Sequence, residues 1–377
     1  MKLLDDILVI DFTQFLSGPV ATLRLADFGA RVIKIEKPIT GDLCRDLYVS
    51  NVEINGESSL FRAINRNKES FCADLKNEED LKIIKRLITK ADVLVHNFRP
   101  EVMIRLGLSY EEVRTLNSKI VYAEISGYGK KGPYKNKPGQ DLLLQSISGI
   151  TQLSGNEDKG PVPLGLPIAD LFAGMHLAQG ILAALTQKNT GCKVSVNMLE
   201  SILDLQFETV TTYFHDGGQP TQRTKTNNAH AYLGAPYGLY KTKNGHIALA
   251  MGNISFLGKL LSSDVLVPYT NIEEWFTKRD EIKAILANHL ETKSTEHWLS
   301  ILEPADVWFA DVMDWERLFK HNGFKVIKML QTVTMTDGYH YETKRCPIRF
   351  NGKILTAEKG CPKLGEDNEK IHSYIKN

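Results

Sequence analysis

A carboxylate stands at the start of a long apolar segment, directly after a loop that is rich in glycine and proline. The loop Pro163-Leu-Gly-Leu-Pro-Ile-Ala leads into Asp170. Aspartate is favoured at helix starts because its carboxylate accepts hydrogen bonds from unpaired backbone N–H groups. The same group can act as a nucleophile that forms a covalent acyl intermediate, with the helix amides stabilising a neighbouring oxyanion. The pattern leaves both interpretations open, whereas His176 is interpreted as a core residue.

Basic side chains follow several predicted strands and could hold a phosphorylated ligand. Lys37 and Lys76 come after two of these strands, and Arg99 and Arg105 follow a third; a further basic string, Asn65–Lys68, precedes a strand. Each group taken alone is typical of a solvated loop. Taken together, Lys37, Lys76, Arg99 and Arg105 are expected near the carboxyl edge of one sheet, where lysine and arginine can bind phosphate.

The elements that would position these residues alternate between strand and helix over the first 130 residues. Strands are predicted at Ile7–Asp11, Arg31–Glu36, Asp92–His96 and Lys119–Ile125. Helices are predicted at Val20–Phe28, introduced by a capping Ser17 with Pro19 and ended by Gly29; at Glu79–Lys90; and at Tyr110–Leu116, with a capping box of Ser109 and Glu112. This alternation predicts an α/β, Rossmann-like domain with a parallel sheet.

The alternation stops after about residue 205, which predicts a second, smaller domain. Further helices are predicted at Gln140–Ile150 and Ala169–Gln187. Two strands, Tyr237–Lys241 and His246–Met251, flank the turn Lys243-Asn244-Gly245 and predict a hairpin. We expect a large domain over 1–205, a linker over 206–227, a small α+β domain over 228–315, and a return to the large domain over 316–377.

Composition and missing motifs exclude several classes of protein. The 377 residues are 42% hydrophobic and 24% charged, and 46 basic against 45 acidic residues give a net charge of +1, which disfavours disorder and nucleic-acid binding. Five scattered cysteines without a CxxC pair predict reduced thiols, a cytoplasmic location and no metal site. No apolar run suggests a membrane span, and Asp5 and Asp6 argue against a secretory signal. The sequence lacks the glycine motifs of dinucleotide-binding proteins and of P-loop proteins. It also lacks the G-x-S-x-G motif of serine hydrolases.

Several strings together resemble family III CoA-transferases, the CaiB–BaiF group. They are DFTQFLSGPVATLRLADFGARVIKIEKP, NRNKESFCADLK, HNFRPEVMIRLGLSYEEV, ISGYGKKGPY, ADLFAGMHLAQGILAALTQKNTG and the ending KRCPIRF…PKLGEDNEKI. The resemblance covers nearly the whole chain. It implies a Rossmann-like large domain formed by both termini, a smaller domain, and an interlocked homodimer with no membrane or nucleic-acid partner.

The resemblance also implies a set of site residues. Asp170 matches the catalytic aspartate. The matching CoA-binding positions are Leu16, Ser17, Lys37, Ala73, Asp74, Leu75, Lys76, Asn97, Phe98, Arg99 and Arg105. Gln140 is a candidate for the substrate pocket. Coenzyme A and acyl-CoA are expected as substrates, with no permanently bound cofactor.

The activity that the resemblance implies is transfer of CoA from an acyl-CoA to a carboxylic acid, through aspartyl anhydride and aspartyl-CoA intermediates. A rival within the same superfamily is an α-methylacyl-CoA racemase, which uses a His-Asp pair ahead of the helix. The corresponding pair here is Gln140-Asp141, and a glutamine amide does not titrate. A CoA-binding paralogue without catalysis is the other alternative, and it would not need Asp170.

Overall fold

A computed structural model describes residues 3–47, 51–187 and 190–376. The strands are β1 (Leu8–Asp11), β2 (Arg31–Glu36), β3 (Glu53–Ile54), β4 (Glu57–Ser58), β5 (Glu69–Cys72), β6 (Val93–His96), β7 (Val121–Ser126), β8 (Cys192–Asn197), β9 (Gly238–Lys241), β10 (His246–Leu249), β11 (Phe309–Asp311), β12 (Leu330–Thr334), β13 (His340–Lys344), β14 (Arg349–Phe350) and β15 (Lys353–Ile354).

The α-helices are α1 (Ser17–Asp27), α2 (Ser59–Ile64), α3 (Glu78–Lys90), α4 (Pro100–Arg105), α5 (Tyr110–Leu116), α6 (Asp141–Ile147), α7 (Ile168–Leu185), α8 (Met198–Asp204), α9 (Phe207–His215), α10 (Ile254–Leu260), α11 (Ile272–Thr277), α12 (Arg279–Leu290), α13 (Thr295–Leu302), α14 (Trp315–Lys320), α15 (Asn322–Ile327) and α16 (Asn368–Lys376).

The chain divides into two compact units. The first contains Met1–Leu144, Pro167–Leu205 and Lys325–Asn377, and the second contains Gln145–Leu166 and Gln206–Phe324. Residues 145–166, which the sequence suggested for the large domain, thus group with the second unit. So do residues 206–227, the expected linker.

The first unit is built on a parallel sheet, which confirms the predicted α/β class. Its strands run in the order β5-β2-β1-β6-β7-β8, and each neighbouring pair is parallel. Fully buried apolar side chains such as Ile10, Ile33 and Leu94 pack with Ile84 and Leu87 of α3. Strands buried in this way are typical of a parallel sheet covered by helices.

The second unit has an antiparallel sheet with the order β11-β10-β9. The predicted hairpin is confirmed, because His246 pairs with Lys241 and Leu249 with Gly238. Its core joins Tyr240 and Ile247 of this sheet to buried side chains of α12 and α13, including Leu286 and Trp298.

The sequence suggested no membrane-spanning segment, but one helix of the structure is a candidate for such a segment. By length and composition alone, the 18 residues of α7 could cross a bilayer. The helix instead packs against α1, α8, β7 and β8 of the first unit, with Ala173, Leu177 and Ile181 buried. A core helix of an α/β fold passes the same compositional test, so this is weak evidence for a membrane span.

Candidate active site

Asp170 is the third residue of α7 rather than its cap. The N-cap position is held by Pro167, which makes no side-chain hydrogen bond to the helix. Of the two interpretations that the sequence left open, the one in which Asp170 caps its own helix is therefore excluded. Its carboxylate instead interacts with Ser17 of α1, so a function other than capping its own helix is open to it.

The carboxylate of Asp170 lies at the amino-terminal end of α1. The hydroxyl and the backbone N–H of Ser17, the first residue of α1, lie in hydrogen-bonding reach of it, and both lower its pKa. The N-cap residue Leu16 makes no side-chain bond, so Ser17 is not the cap that the sequence suggested. The carboxylate of Asp170 interacts with this end of α1, where the helix dipole favours a negative charge.

A glycine makes this meeting of the two helices possible. Gly174 lies one turn after Asp170 on the same helix, and a Cβ at that position would stand 2.4 Å from the backbone oxygen of Ser17. No side chain fits at that distance. The glycine therefore allows the start of α1 to contact α7 next to the carboxylate.

A second carboxylate caps α7. Oδ1 of Asp141, the first residue of α6, accepts hydrogen bonds from the backbone N–H of Ala169 at 2.7 Å and of Asp170 at 3.3 Å. Burial, together with the negative charge of Asp141, raises the pKa of Asp170 to about 6, against the opposing effect of the Ser17 hydrogen bonds. The amides at the start of α7, which sequence reasoning suggested as oxyanion donors, are thus engaged by Asp141.

The loop between β1 and α1 is fixed by side chains from neighbouring strands. The amide group of Asn97, directly after β6, accepts from the N–H of Gln14 at 2.9 Å and donates to its carbonyl at 2.7 Å. Oδ1 of Asp42 accepts from the N–H of Phe15 at 3.1 Å. These contacts hold the backbone immediately before Ser17.

Buried ion pairs also stabilise the loop between β1 and α1. Lys34 contacts Oδ2 of Asp42 at 2.7 Å and donates to the carbonyl of Thr13 at 2.7 Å. Lys68 contacts Oδ2 of Asp11 at 3.1 Å, and burial lowers the pKa of this lysine to about 8. The basic string Asn65–Lys68 is therefore structural at Lys68, whose side chain is fully buried.

Most of the predicted CoA-binding positions lie at one edge of the sheet. Leu16 and Ser17 follow β1, Lys37 follows β2, Ala73–Lys76 follow β5, and Asn97–Arg99 follow β6. These four strands are neighbours in the sheet and run parallel, so their carboxyl ends meet at the same edge. The contact of Asp170 with Ser17 puts the carboxylate at this edge too.

The predicted site residues differ in their exposure. Lys37, Lys76, Arg99, Arg105 and Gln140 are exposed to solvent, and Arg105 lies at the far end of α4 from Arg99. Ser17 and Ala73 are buried, whereas Leu16, Asp74, Leu75, Asn97 and Phe98 are half-buried.

His176 is bound to a neighbouring helix. Its ring contacts Oγ of Ser201 at 3.1 Å and Oδ2 of Asp204 at 3.2 Å, both on α8. Six residues along an α-helix amount to about one and two-thirds turns, so its side chain leaves α7 on a different face from Asp170.

Sequence reasoning missed the contributions of Asp141 and Gly174. Asp141 was considered only as the neighbour of Gln140 in a pair that lacks the histidine of the racemases. The spacing of four residues between Asp170 and Gly174 was a usable signal, because such positions lie on the same face of a helix.

The sequence matches CoA-transferase family III over residues 4–368. The chain belongs to this family. A family III CoA-transferase is an enzyme that takes CoA thioesters as substrates. The resemblance seen in the sequence is thereby confirmed for nearly the whole chain.

Similar proteins have names that describe the same type of reaction. An acetyl-CoA:oxalate CoA-transferase of Acetobacter aceti is 33% identical, over 82% of this chain and 80% of that protein. A succinyl-CoA:glutarate CoA-transferase of Mus musculus is 31% identical, over 98% of this chain and 86% of that protein. The crystal structure of a CAIB/BAIF family protein from Brucella suis superposes with a TM-score of 0.84 at 27% identity, covering 98% of both chains.

Proposed function

We propose that this transferase moves CoA between carboxylic acids with Asp170 as the covalent nucleophile. The observation that supports this most is the position of the carboxylate. It lies beside Ser17, at the sheet edge that the predicted CoA-binding segments follow. A nucleophile at this point would reach a thioester whose CoA moiety lies along the same edge.

In the first half of the reaction, the donor acid is released and CoA is retained. An oxygen of Asp170 attacks the thioester carbonyl carbon, the carbon–sulfur bond breaks, and CoA leaves as a thiolate with a mixed anhydride remaining on the enzyme. The thiolate then attacks the aspartyl carbonyl carbon. The anhydride bond breaks, the donor leaves as a free carboxylate, and an aspartyl-CoA thioester remains.

In the second half, the acceptor takes the CoA. Its carboxylate attacks the aspartyl carbonyl carbon and expels the thiolate, which gives a second mixed anhydride. The thiolate attacks the acyl carbon of the acceptor and releases Asp170 as a carboxylate. Each step exchanges one activated acyl bond for another, so no external energy source enters the balance.

The ionisation of Asp170 suits this role. With its pKa at about 6, the carboxyl group is mostly ionised at neutral pH and is more basic than an ordinary aspartate. Carboxylates are weak nucleophiles, so positioning must contribute much of the rate, on the order of 7–11 kcal/mol for well-oriented groups. The bonds from Ser17 and the support of the β1–α1 loop would provide this orientation.

Exposed cations at the sheet edge would bind the phosphates of CoA. Lys37, Lys76 and Arg99 carry the charge at this edge, and Arg105 adds a cation at the other end of α4. Guanidinium groups can bind phosphate oxygens in pairs. The half-buried Asn97 would act mainly through the loop, because both ends of its amide already bind Gln14.

The substrates are proposed to be small dicarboxylic acids. Oxalate, glutarate and succinate appear in the names of similar transferases from Acetobacter aceti and Mus musculus. The first substrates to test are therefore succinyl-CoA as the donor and either glutarate or oxalate as the acceptor.

The transfer assay tests the role of Asp170. Asp170→Asn keeps the size of the side chain and an acceptor for Ser17 but removes the nucleophile. We expect a loss of transfer of at least about 1,000-fold with CoA affinity retained, since covalent catalysis is abolished. Glu112→Gln removes a carboxylate from the exposed capping contact of α5 and should retain wild-type turnover. Wild-type turnover in Asp170→Asn would exclude the aspartyl route.

An interlocked homodimer is also proposed. Large apolar side chains are exposed within each unit, with Phe207 71% and Phe214 73% exposed on α9, and Val326 75% exposed on α15. Exposed apolar side chains of this size are typical of surfaces that a partner covers. Light scattering should give twice the mass of the chain at micromolar concentration, and a folded monomer there would contradict the dimer.

A further inference from the structure

The start of α7 is capped by a carboxylate that is distant in the sequence. Oδ1 of Asp141 binds the N–H groups of Ala169 and Asp170, although 28 residues separate the first pair and 29 the second. One of these two amides belongs to the proposed nucleophile itself. The contact therefore fixes the backbone from which the reactive side chain projects.

A neutral acceptor could satisfy the same two amides. Serine and asparagine are as good as aspartate at helix starts. In this chain Asn77, Asn197 and Asn253 cap α3, α8 and α10 through their side-chain oxygens. Capping alone thus does not require a negative charge next to Asp170, and a charge there repels the carboxylate of Asp170.

We propose that Asp141 is a positioning residue for the transfer reaction, which fixes the backbone of Asp170 and sets a second negative charge beside its carboxylate. This inference rests on the proposed role of Asp170. Acylation converts that carboxylate into a neutral anhydride or thioester, so the repulsion between the two groups is relieved as the covalent intermediate forms. The ionised form is also made more basic, and basicity increases the reactivity of a nucleophile.

Other titratable groups lie on the elements packed against α7. They are Arg24 and Asp27 on α1, Glu200 and Asp204 on α8, Tyr122 and Glu124 on β7, Cys192 and Lys193 on β8, and the thiols of Cys44 and Cys361 in the cluster that contacts Leu171. Burial raises the pKa of the Cys44 and Cys361 thiols to about 12, so they are neutral at physiological pH. Among the groups of the described residues, the charge that acts on Asp170 is that of Asp141.

The pH dependence of transfer distinguishes the effect of the Asp141 charge from the effect of Asp141 as the cap of α7. Asp141→Asn keeps an oxygen that can accept both N–H groups but removes the charge. Asp170 must be ionised to react, so the rate of the wild-type enzyme should fall as the pH drops through about 6. In Asp141→Asn this acid limb should move to lower pH by about one pH unit, and kcat on the plateau should decrease. The KM for succinyl-CoA should stay within about twofold, because the predicted CoA contacts are unchanged.

Asp141→Ala removes the cap as well, and kcat should then fall on the order of 10- to 100-fold. Glu112→Gln is the matched control: it replaces a capping carboxylate by an amide at α5 and should leave the acid limb unchanged. If Asp141→Ala does not fold, Asp141→Asn still decides the question.

The proposal is overturned if Asp141→Asn shows the acid limb and plateau of the wild-type enzyme. It is also overturned if KM for succinyl-CoA rises while kcat is unchanged, since Asp141 would then act in substrate binding. Failure of the proposed function is recognised separately, by undiminished transfer in Asp170→Asn.

Discussion

At the scale of the residue, Asp170 is held between opposing influences. Burial and the charge of Asp141 favour its protonated form, whereas the two hydrogen bonds from Ser17 favour the carboxylate. The effects of burial and of the Asp141 charge are larger than that of Ser17, and they raise the pKa of Asp170 to about 6. In the proposed mechanism the group would therefore be more easily acylated than a solvated aspartate. Its ionised form destabilises the folded chain.

This destabilisation predicts a pH-dependent effect of Asp170→Asn on stability. Below about pH 3 the carboxyl group is protonated in both the folded and the unfolded chain, so the substitution should change little. As the pH rises from about 4 to 6, the unfolded chain releases the proton first, and the wild-type protein loses stability relative to the variant. At pH 7.5 the variant should be more stable by about 2 to 3 kcal/mol, since the pKa is about 6 instead of the usual 3.8.

Urea unfolding at several pH values between 4.5 and 8 measures this difference. A gain in stability that is independent of pH would contradict the proposed cause, and so would a less stable variant at pH 7.5.

At the scale of the element, the site depends on where the starts of α1, α6 and α7 meet. The side-chain contacts that bind them are not local: Asp170 of α7 binds the first residue of α1, and Asp141 of α6 binds the first turn of α7. Sequence patterns predicted local caps correctly, as in the capping box of Ser109 and Glu112. They assigned Ser17 wrongly as the cap of its own helix and left a capping role open for Asp170, because nothing in a local pattern reveals a partner many residues away.

The meeting of α1 and α7 predicts a strong effect of Gly174→Ala. The added methyl group would collide with the backbone of Ser17, which cannot move without displacing α1. We expect a loss of about 1–3 kcal/mol of stability from overpacking, and a loss of transfer of about 100-fold as Ser17 separates from Asp170.

Gly180→Ala, on the same helix, is the control. A Cβ at Gly180 meets the side chain of Val194 on β8 at 2.6 Å, so it also overpacks α7 but does not touch α1. Equal losses of kcat in the two variants, measured at saturating succinyl-CoA, would contradict a specific role for the contact between Gly174 and Ser17.

At the scale of the whole molecule, the sequence predicted the class of fold and the family but not the division of the chain. Strand–helix alternation predicted the parallel sheet, and β2 has the predicted bounds Arg31–Glu36. Residues 145–166 were expected in the large domain because the sequence changes character only after about residue 205. They group with the second unit through contacts such as the bonds of Asn228 to Leu153 and Gly155, which join positions more than 70 residues apart. No local pattern contains such pairings.

The measurement that tests the central claim most directly is the mass of the intact protein after incubation with succinyl-CoA, followed by hydroxylamine. Aspartyl anhydrides and thioesters react with hydroxylamine and leave a hydroxamate. The proposed mechanism predicts this mark on the peptide that contains Asp170, and its absence from Asp170→Asn. An unmarked protein that still transfers CoA to glutarate, or a mark on another peptide, would contradict the role of Asp170 as the nucleophile.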